Sequence, residues 1–273
     1  MVIKVLTKPA AEGIEISGAG IFFTIKLPLQ DLPITESQVN SWLVIVSVFF
    51  LCLYLTHGLA TVPNLRRQHL VEWGIEKVEN MVNENMGEYF HNFVPFVAAI
   101  MVLSAFSSLL TLVGLYPPTS DLNVVAGWAV LVFFLITYYK FKCGPAYYLK
   151  SFAEPVAFLA PINIISEFAT PVSMAFRHYG NVLSGTVISV LVASGLQGIS
   201  AMVFGNLSGI IGEVPFFQIG IPAVLSIYFD IFSGCLQAFI FAMLTMLYVS
   251  SAFPSDEYEE RRRKKLNRQK AAS

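Results

Sequence analysis

Charge is scarce in this chain. Of its 273 residues, 13% are Asp, Glu, Lys or Arg, about half the share a soluble domain carries, and that excludes an ordinary water-soluble fold. Cysteine is scarcer still. Cys52, Cys143 and Cys235 are scattered, odd in number and without metal-ligand spacing, so they read as inert thiols and not as a disulfide framework or a zinc site. The Walker, GxSxG, HExxH and CxxC patterns of soluble active sites are absent, and neither a cofactor nor a metal is expected. No internal repeat is visible, which weighs against the inverted-repeat carriers. Residues 1–38 lack the basic, apolar and small-residue regions of a signal peptide and are expected to form an extracytoplasmic segment.

What the chain has in abundance is apolar length. Hydrophobic residues make up 55% of it, with 23 Phe and 11 Tyr suited to lipid contact and interfacial belts. The expected fold is an all-α polytopic membrane protein. Five spans are expected, at about 39–60, 93–115, 124–139, 162–196 and 222–252, the first of them long enough for ~30 Å of hydrocarbon. GIEISGAGIFFTIKLPL, before the first span, reads as a short hairpin or an interfacial segment, and Thr35 or Ser37 could cap the helix that follows. Between the first two spans, Val71, Ile75, Val78 and Val82 recur at helical spacing among Arg66, Arg67, Glu72, Glu76, Lys77 and Glu79. This predicts an amphipathic helix over 63–90 on the membrane surface or against partner proteins, a plain solvated connector being the alternative.

A few polar residues sit inside the apolar stretches. Arg177 lies near the middle of the fourth span, where an arginine costs ~2.5–3.5 kcal/mol by insertion scales. Ser173, Asn181 and Ser184 share its helical face, four before, four after and seven after. Snorkelling from a helix end is the plain alternative. Asp230 and Gln237, seven apart, are expected on one face of the last span. Asp121 and Asn123 stand at the boundary before the third span, where Asp121 is also well placed as a helix cap. His57 reads as interfacial, and His178 as packing or partner contact. The tail carries Arg261, Arg262, Arg263, Lys264, Lys265, Arg268 and Lys270, which puts the C-terminus in the cytoplasm. Counting back places Arg66, Arg67, Lys140, Lys142 and Lys150 inside as well, and the N-terminus and the loops at 116–123 and 198–221 outside.

One fixed cation in the bilayer has a use if it faces a carboxylate on a partner. It would favour the ionised form of that acid and repel any cation leaking straight through. Two offset polar vestibules would then make an ion ride the partner between them.

PVSMAFRHYGNVLSG, residues 171–185, resembles the arginine-helix signature of subunit a of the F-type ATP synthase, usually close to PVSLxLRLFGNxxAG. PPTSDLN and CLQAFIFAMLT are similar to two further motifs of that family, in the same order, and the resemblance runs from about residue 40 to 252. It implies a stator subunit facing a ring of c subunits and held by b subunits of the peripheral stalk. The last two helices would form a long tilted hairpin. Arg177 would be the arginine separating two half-channels, with Ser173 and Asn181 its polar neighbours and Gln237 facing it. Asp121 and Asn123 would line the outer access path, and Glu167 the cytoplasmic one. The chain departs from the family at Thr186, nine after the arginine, where Glu or His is usual. It departs again at Asp230, seven before the glutamine, where His or Glu is common, so the outer path rests on Asp230.

The expected function is conduction of protons, with sodium as the alternative ion, coupled to ATP synthesis elsewhere in a complex of the bacterial plasma membrane, with no covalent chemistry on this chain. Two rivals stay open. One is a secondary transporter binding an anion at Arg177. The other is a structural anchor in which Arg177 and Asp230 pair with each other.

Overall fold

The structure, a computed structural model, describes residues 18–26, 28, 31–58, 66–142, 144, 148, 152, 157–204, 224, 225, 227–253, 258, 259 and 263. Most of the expected outer loop at 198–221, Lys150 and all tail lysines and arginines but Arg263 lie outside these residues.

Strands β1 (Ile21–Ile25) and β2 (Leu32–Thr35) form an antiparallel pair, with Ile25 opposite Leu32 and Ile21 opposite Thr35. The hairpin of the two readings is what forms. Helix α1 (Glu36–Thr56) follows directly. Its start carries half of a capping box: the Thr35 N–H donates to Gln38 Oε1 at 3.4 Å, with Thr in the cap position and Gln three residues on. Helix α2 (Arg66–Met86) is amphipathic, with Val82 and Met86 buried but Leu70, Trp73 and Ile75 exposed.

A 3-10 turn, Glu88–Phe93, leads into helix α3 (Val94–Val113). Gly114, at φ 83°, ends it. The Leu115 N–H returns to the Leu110 carbonyl at 3.2 Å and the Gly114 N–H to Thr111 at 3.0 Å, a Schellman closure that needs a left-handed residue. Helix α4 (Leu122–Lys142) is capped by Asp121, whose Oδ1 accepts from the Asn123 N–H at 2.9 Å. Helix α5 (Ala160–Phe204) has 45 residues and runs through Pro171. At ~1.5 Å per residue it measures about 68 Å, so it stays within ~30 Å of hydrocarbon only at a steep tilt. The last element opens as a π-helix, Ile227–Ser233, and continues as helix α6 (Gly234–Ser251). Five of these helical segments are long and apolar enough to cross a membrane.

The chain divides into two compact units. One comprises Met1–Tyr54, Met101–Val125 and Phe176–Phe239, and the other the remaining segments. In the first, Asn40 Nδ2 donates to the Tyr116 carbonyl at 2.8 Å. His178 is fully buried with Nε2 3.5 Å from Ser104 Oγ, as its packing reading expects. Among the described glycines the tightest approach is at Gly234, where an added Cβ would stand 2.6 Å from Ser108 Cβ. In the second unit, Phe90, Phe93, Tyr139 and Phe253 pack ring against ring. Lys142 Nζ lies 5.3 Å from the Tyr89 ring centre and 5.8 Å from that of Tyr258, a set of cation–π contacts. Lys140 Nζ and Glu167 Oε1 are 3.2 Å apart, with side chains 19% and 6% exposed.

Two outcomes follow for stability. Gly234→Ala forces the two helices apart, at a cost of about 1–3 kcal/mol for an overpacked contact. It lowers the thermal stability of the membrane complex, and adding Ser108→Gly recovers most of the loss. Lys140→Met strands a buried carboxylate, which costs about 3–5 kcal/mol when a buried pair is broken on one side. The double variant Lys140→Met/Glu167→Leu accumulates to higher levels in membranes than Lys140→Met alone.

Candidate functional site

The arginine face comes first. Ser173, Arg177 and Ser184 on α5 are exposed, and Asn181 is half-buried. Among the described residues Arg177 has no carboxylate partner, and it makes no ion pair with Asp230. The internal pair required by the structural-anchor reading is therefore not formed. Around Arg177 one side of the helix is bare: Phe168, Val172, Phe176, Ile188 and Leu191 are all exposed, whereas Met174, Ala175 and His178 are buried. Within the most apolar part of this helix 6% of residues are buried, against 39% in the last helix. A cation in the middle of an uncovered apolar helix is oriented toward something other than its own chain.

A cavity of about 270 Å³ forms in the first unit, lined among others by Glu36, Tyr116, Ser120, Asn181, Thr186 and Asp230. The π-helix carries Asp230 into it. Asn181 Nδ2 donates to Ser233 Oγ at 2.8 Å, tying α5 to the end of the π segment. Gly185 makes room for the adjoining Phe229, whose Cβ an added methyl would meet at 3.2 Å. Thr186 lines the cavity, while its hydroxyl donates to the Val182 carbonyl at 3.0 Å.

Beside the cavity, Ser37 Oγ donates to Asp121 Oδ2. One carboxylate thus caps α4 with one oxygen and binds α1 with the other. Tyr116 Oη donates to the Ser120 carbonyl at 3.2 Å. Burial, and then the Asp121 charge, hold its phenol above the ordinary range, so it remains a donor.

Glu167, in the second unit, is joined to Lys140. Tyr148 lies near it, its hydroxyl pushed up by burial and then by the Glu167 charge.

The structure thus gathers Asn181, Thr186 and Asp230 into one cavity. Asp121 adjoins it through Ser120, whereas Asn123 is exposed and contributes its backbone. Gln237 corrects the spacing argument. It is 4% exposed and does not line the cavity with Asp230; Gly234 does. The wider turn of the π segment shifts the register that seven α-helical residues would have kept. Glu36, Ser37, Tyr116 and Lys140 escaped the motif reading. The signal for the first three was the expected topology, which put residues 1–38 and the loop at 116–123 on the same side.

The family described as ATP synthase A chain matches residues 38–250. The chain is 34% identical over 242 residues to ATP synthase subunit a of Priestia megaterium, covering 84% of this chain and 97% of that protein. It is 30% identical over 222 residues to ATP synthase subunit a of Trichlorobacter lovleyi, covering 80% and 86%. With that of Legionella pneumophila the identity is 26% over 228 residues, covering 83% and 90%. Five apolar helices, an uncovered arginine helix and a match over most of its length agree: this chain belongs to the ATP synthase A chain family, as a multi-pass subunit of the membrane sector of ATP synthase.

Proposed function

We propose that this subunit passes protons through two offset half-channels to and from carboxylates on a ring of c subunits, with Arg177 separating the two. The observation that carries the reading is the exposure of Arg177, without a carboxylate partner among the described residues, midway along an apolar helix that its own chain leaves bare. A cation there is stable against a partner acid. It holds that acid ionised while the two face each other and turns back any cation crossing directly. Moving one charge through the membrane potential releases ~2.3 kcal/mol per 100 mV, so the block keeps that energy coupled to the ring.

Asp230, with Asn181 and Thr186 in the cavity, serves the outer half-channel. Asp121 holds α1 and α4 at its edge, and Asn123 stands beside it. Ser173 extends the polar stripe of Arg177, and Gln237 holds the last helix against its neighbours. Glu167, paired with Lys140, serves the cytoplasmic half-channel. The b subunits of the peripheral stalk keep the subunit from turning with the ring. The N-terminus lies outside and the basic tail in the cytoplasm of a bacterial plasma membrane. The domain division follows: an extracytoplasmic segment over 1–38, the membrane domain over 39–252 and a basic tail from 253.

ATP-driven pumping into inverted membrane vesicles tests the reading, with the assembled complex quantified in each preparation. Arg177→Ala abolishes pumping while the complex stays intact. Asp230→Asn removes a proton acceptor and lowers the rate by on the order of a hundredfold, the scale of a lost proton-transfer group. Added sodium leaves the native rate unchanged. Undiminished pumping by Arg177→Ala overturns the half-channel reading, and dependence on sodium replaces the proton by that ion.

A further inference from the structure

We infer that Glu36, at the first turn of α1, is a second carboxylate of the ion path that leads to Asp230. The inference rests on the half-channel reading above and adds to it a point of entry. Among the described residues that line the cavity, Glu36 and Asp230 are the two carboxylates. Three other polar side chains around it are engaged. The Asn181 amide is held by Ser233, the Thr186 hydroxyl by Val182 and the Tyr116 hydroxyl by Ser120. The two carboxylates therefore carry the titratable capacity of the space between them. At ~30 Å³ per water, its 270 Å³ admits on the order of nine waters, enough for a connected chain.

The backbone fixes Glu36 in place. Its N–H donates to the Gly20 carbonyl at 2.7 Å, so the β-hairpin joins the helix where the carboxylate stands. Gly20 brings no side chain to that point, where an added Cβ would lie 3.6 Å from Glu36 Oε2. Gly18, from the same segment, lines the cavity. Glu36 is half-buried, partly open to solvent and partly facing the cavity. It also stands in the first turn of helix α1. An ionised acid there attracts cations to the entrance and repels anions.

The transfer is a relay of one proton. The Glu36 carboxylate takes a proton from solvent, becoming a neutral carboxyl. It gives that proton to water in the cavity, which delivers it to the Asp230 carboxylate, and Glu36 returns to its charged form. No other bond is made or broken.

The test uses the assembled complex in a background where Cys52, Cys143 and Cys235 are replaced by Ser. Glu36→Gln and Glu36→Asp are compared with the parent for ATP synthesis driven by a proton gradient and for ATP-driven pumping. Glu36→Cys is treated on the outer cell surface with methanethiosulfonate ethylammonium before membranes are prepared, and Arg177→Ala is measured in parallel. The expected result is a several-fold loss in Glu36→Gln at native levels of complex, recovery in Glu36→Asp, and a further loss when the thiol is blocked. Rates unchanged in Glu36→Gln, or in fully labelled Glu36→Cys, overturn the inference while a silent Arg177→Ala leaves the half-channels standing. Should Glu36→Gln fail to assemble, the labelled cysteine decides alone. Normal pumping by Arg177→Ala overturns both readings.

Discussion

A charge in hydrocarbon has to be hydrated, paired or directed at a partner. The charged groups in the apolar helices of this subunit differ in how they answer that requirement. Glu167 meets it by pairing with Lys140 at 3.2 Å. Asp230 meets it by opening into a cavity that its own unit encloses. Lys142 meets it with the faces of tyrosine and phenylalanine rings. Arg177 meets it by none of these means among the described residues, and the helix that bears it is the one least covered by the chain. That helix is the part of the subunit that its own chain leaves most open.

The cavity depends on how closely small residues let helices approach. Ser108 and Gly234 stand where one more methyl does not fit, and Gly185 gives way to Phe229 in the same manner. These approaches hold α3, α5 and the π segment near one another. The π segment in turn carries Asp230 to the space they leave. A π turn weakens its helix and appears mostly where function requires a side chain to be re-aimed. Here the Asn181–Ser233 hydrogen bond secures its end.

Hydropathy revealed the five apolar helices because length and burial in lipid are properties of each segment taken alone. The Arg177 stripe was legible for the same reason, as a local departure from an apolar background. The cap made by Asp121 was readable from its place beside the third span. The second bond of Asp121, to Ser37, joins residues 84 apart in the chain, and nothing in either segment announces the other. The Lys140–Glu167 pair is hidden in the same way, since each partner reads alone as an interfacial charge or a pathway acid. Gln237 was misplaced because an α-helical period was assumed across a stretch that winds as a π-helix. Glu36 belongs to no motif of the sequence, and an acid in the first turn of a helix is too common a feature to mark it out.

Pro171 stands four residues after Glu167 in the long helix. A proline has no N–H, so the carbonyl of Glu167 lacks its usual donor. The same residue thus carries a main-chain oxygen without its helical donor and a carboxylate at the end of its side chain. The helix is softened at the level where its buried acid sits, and a solvent molecule arriving there finds an acceptor that no change of side chain at position 167 would remove.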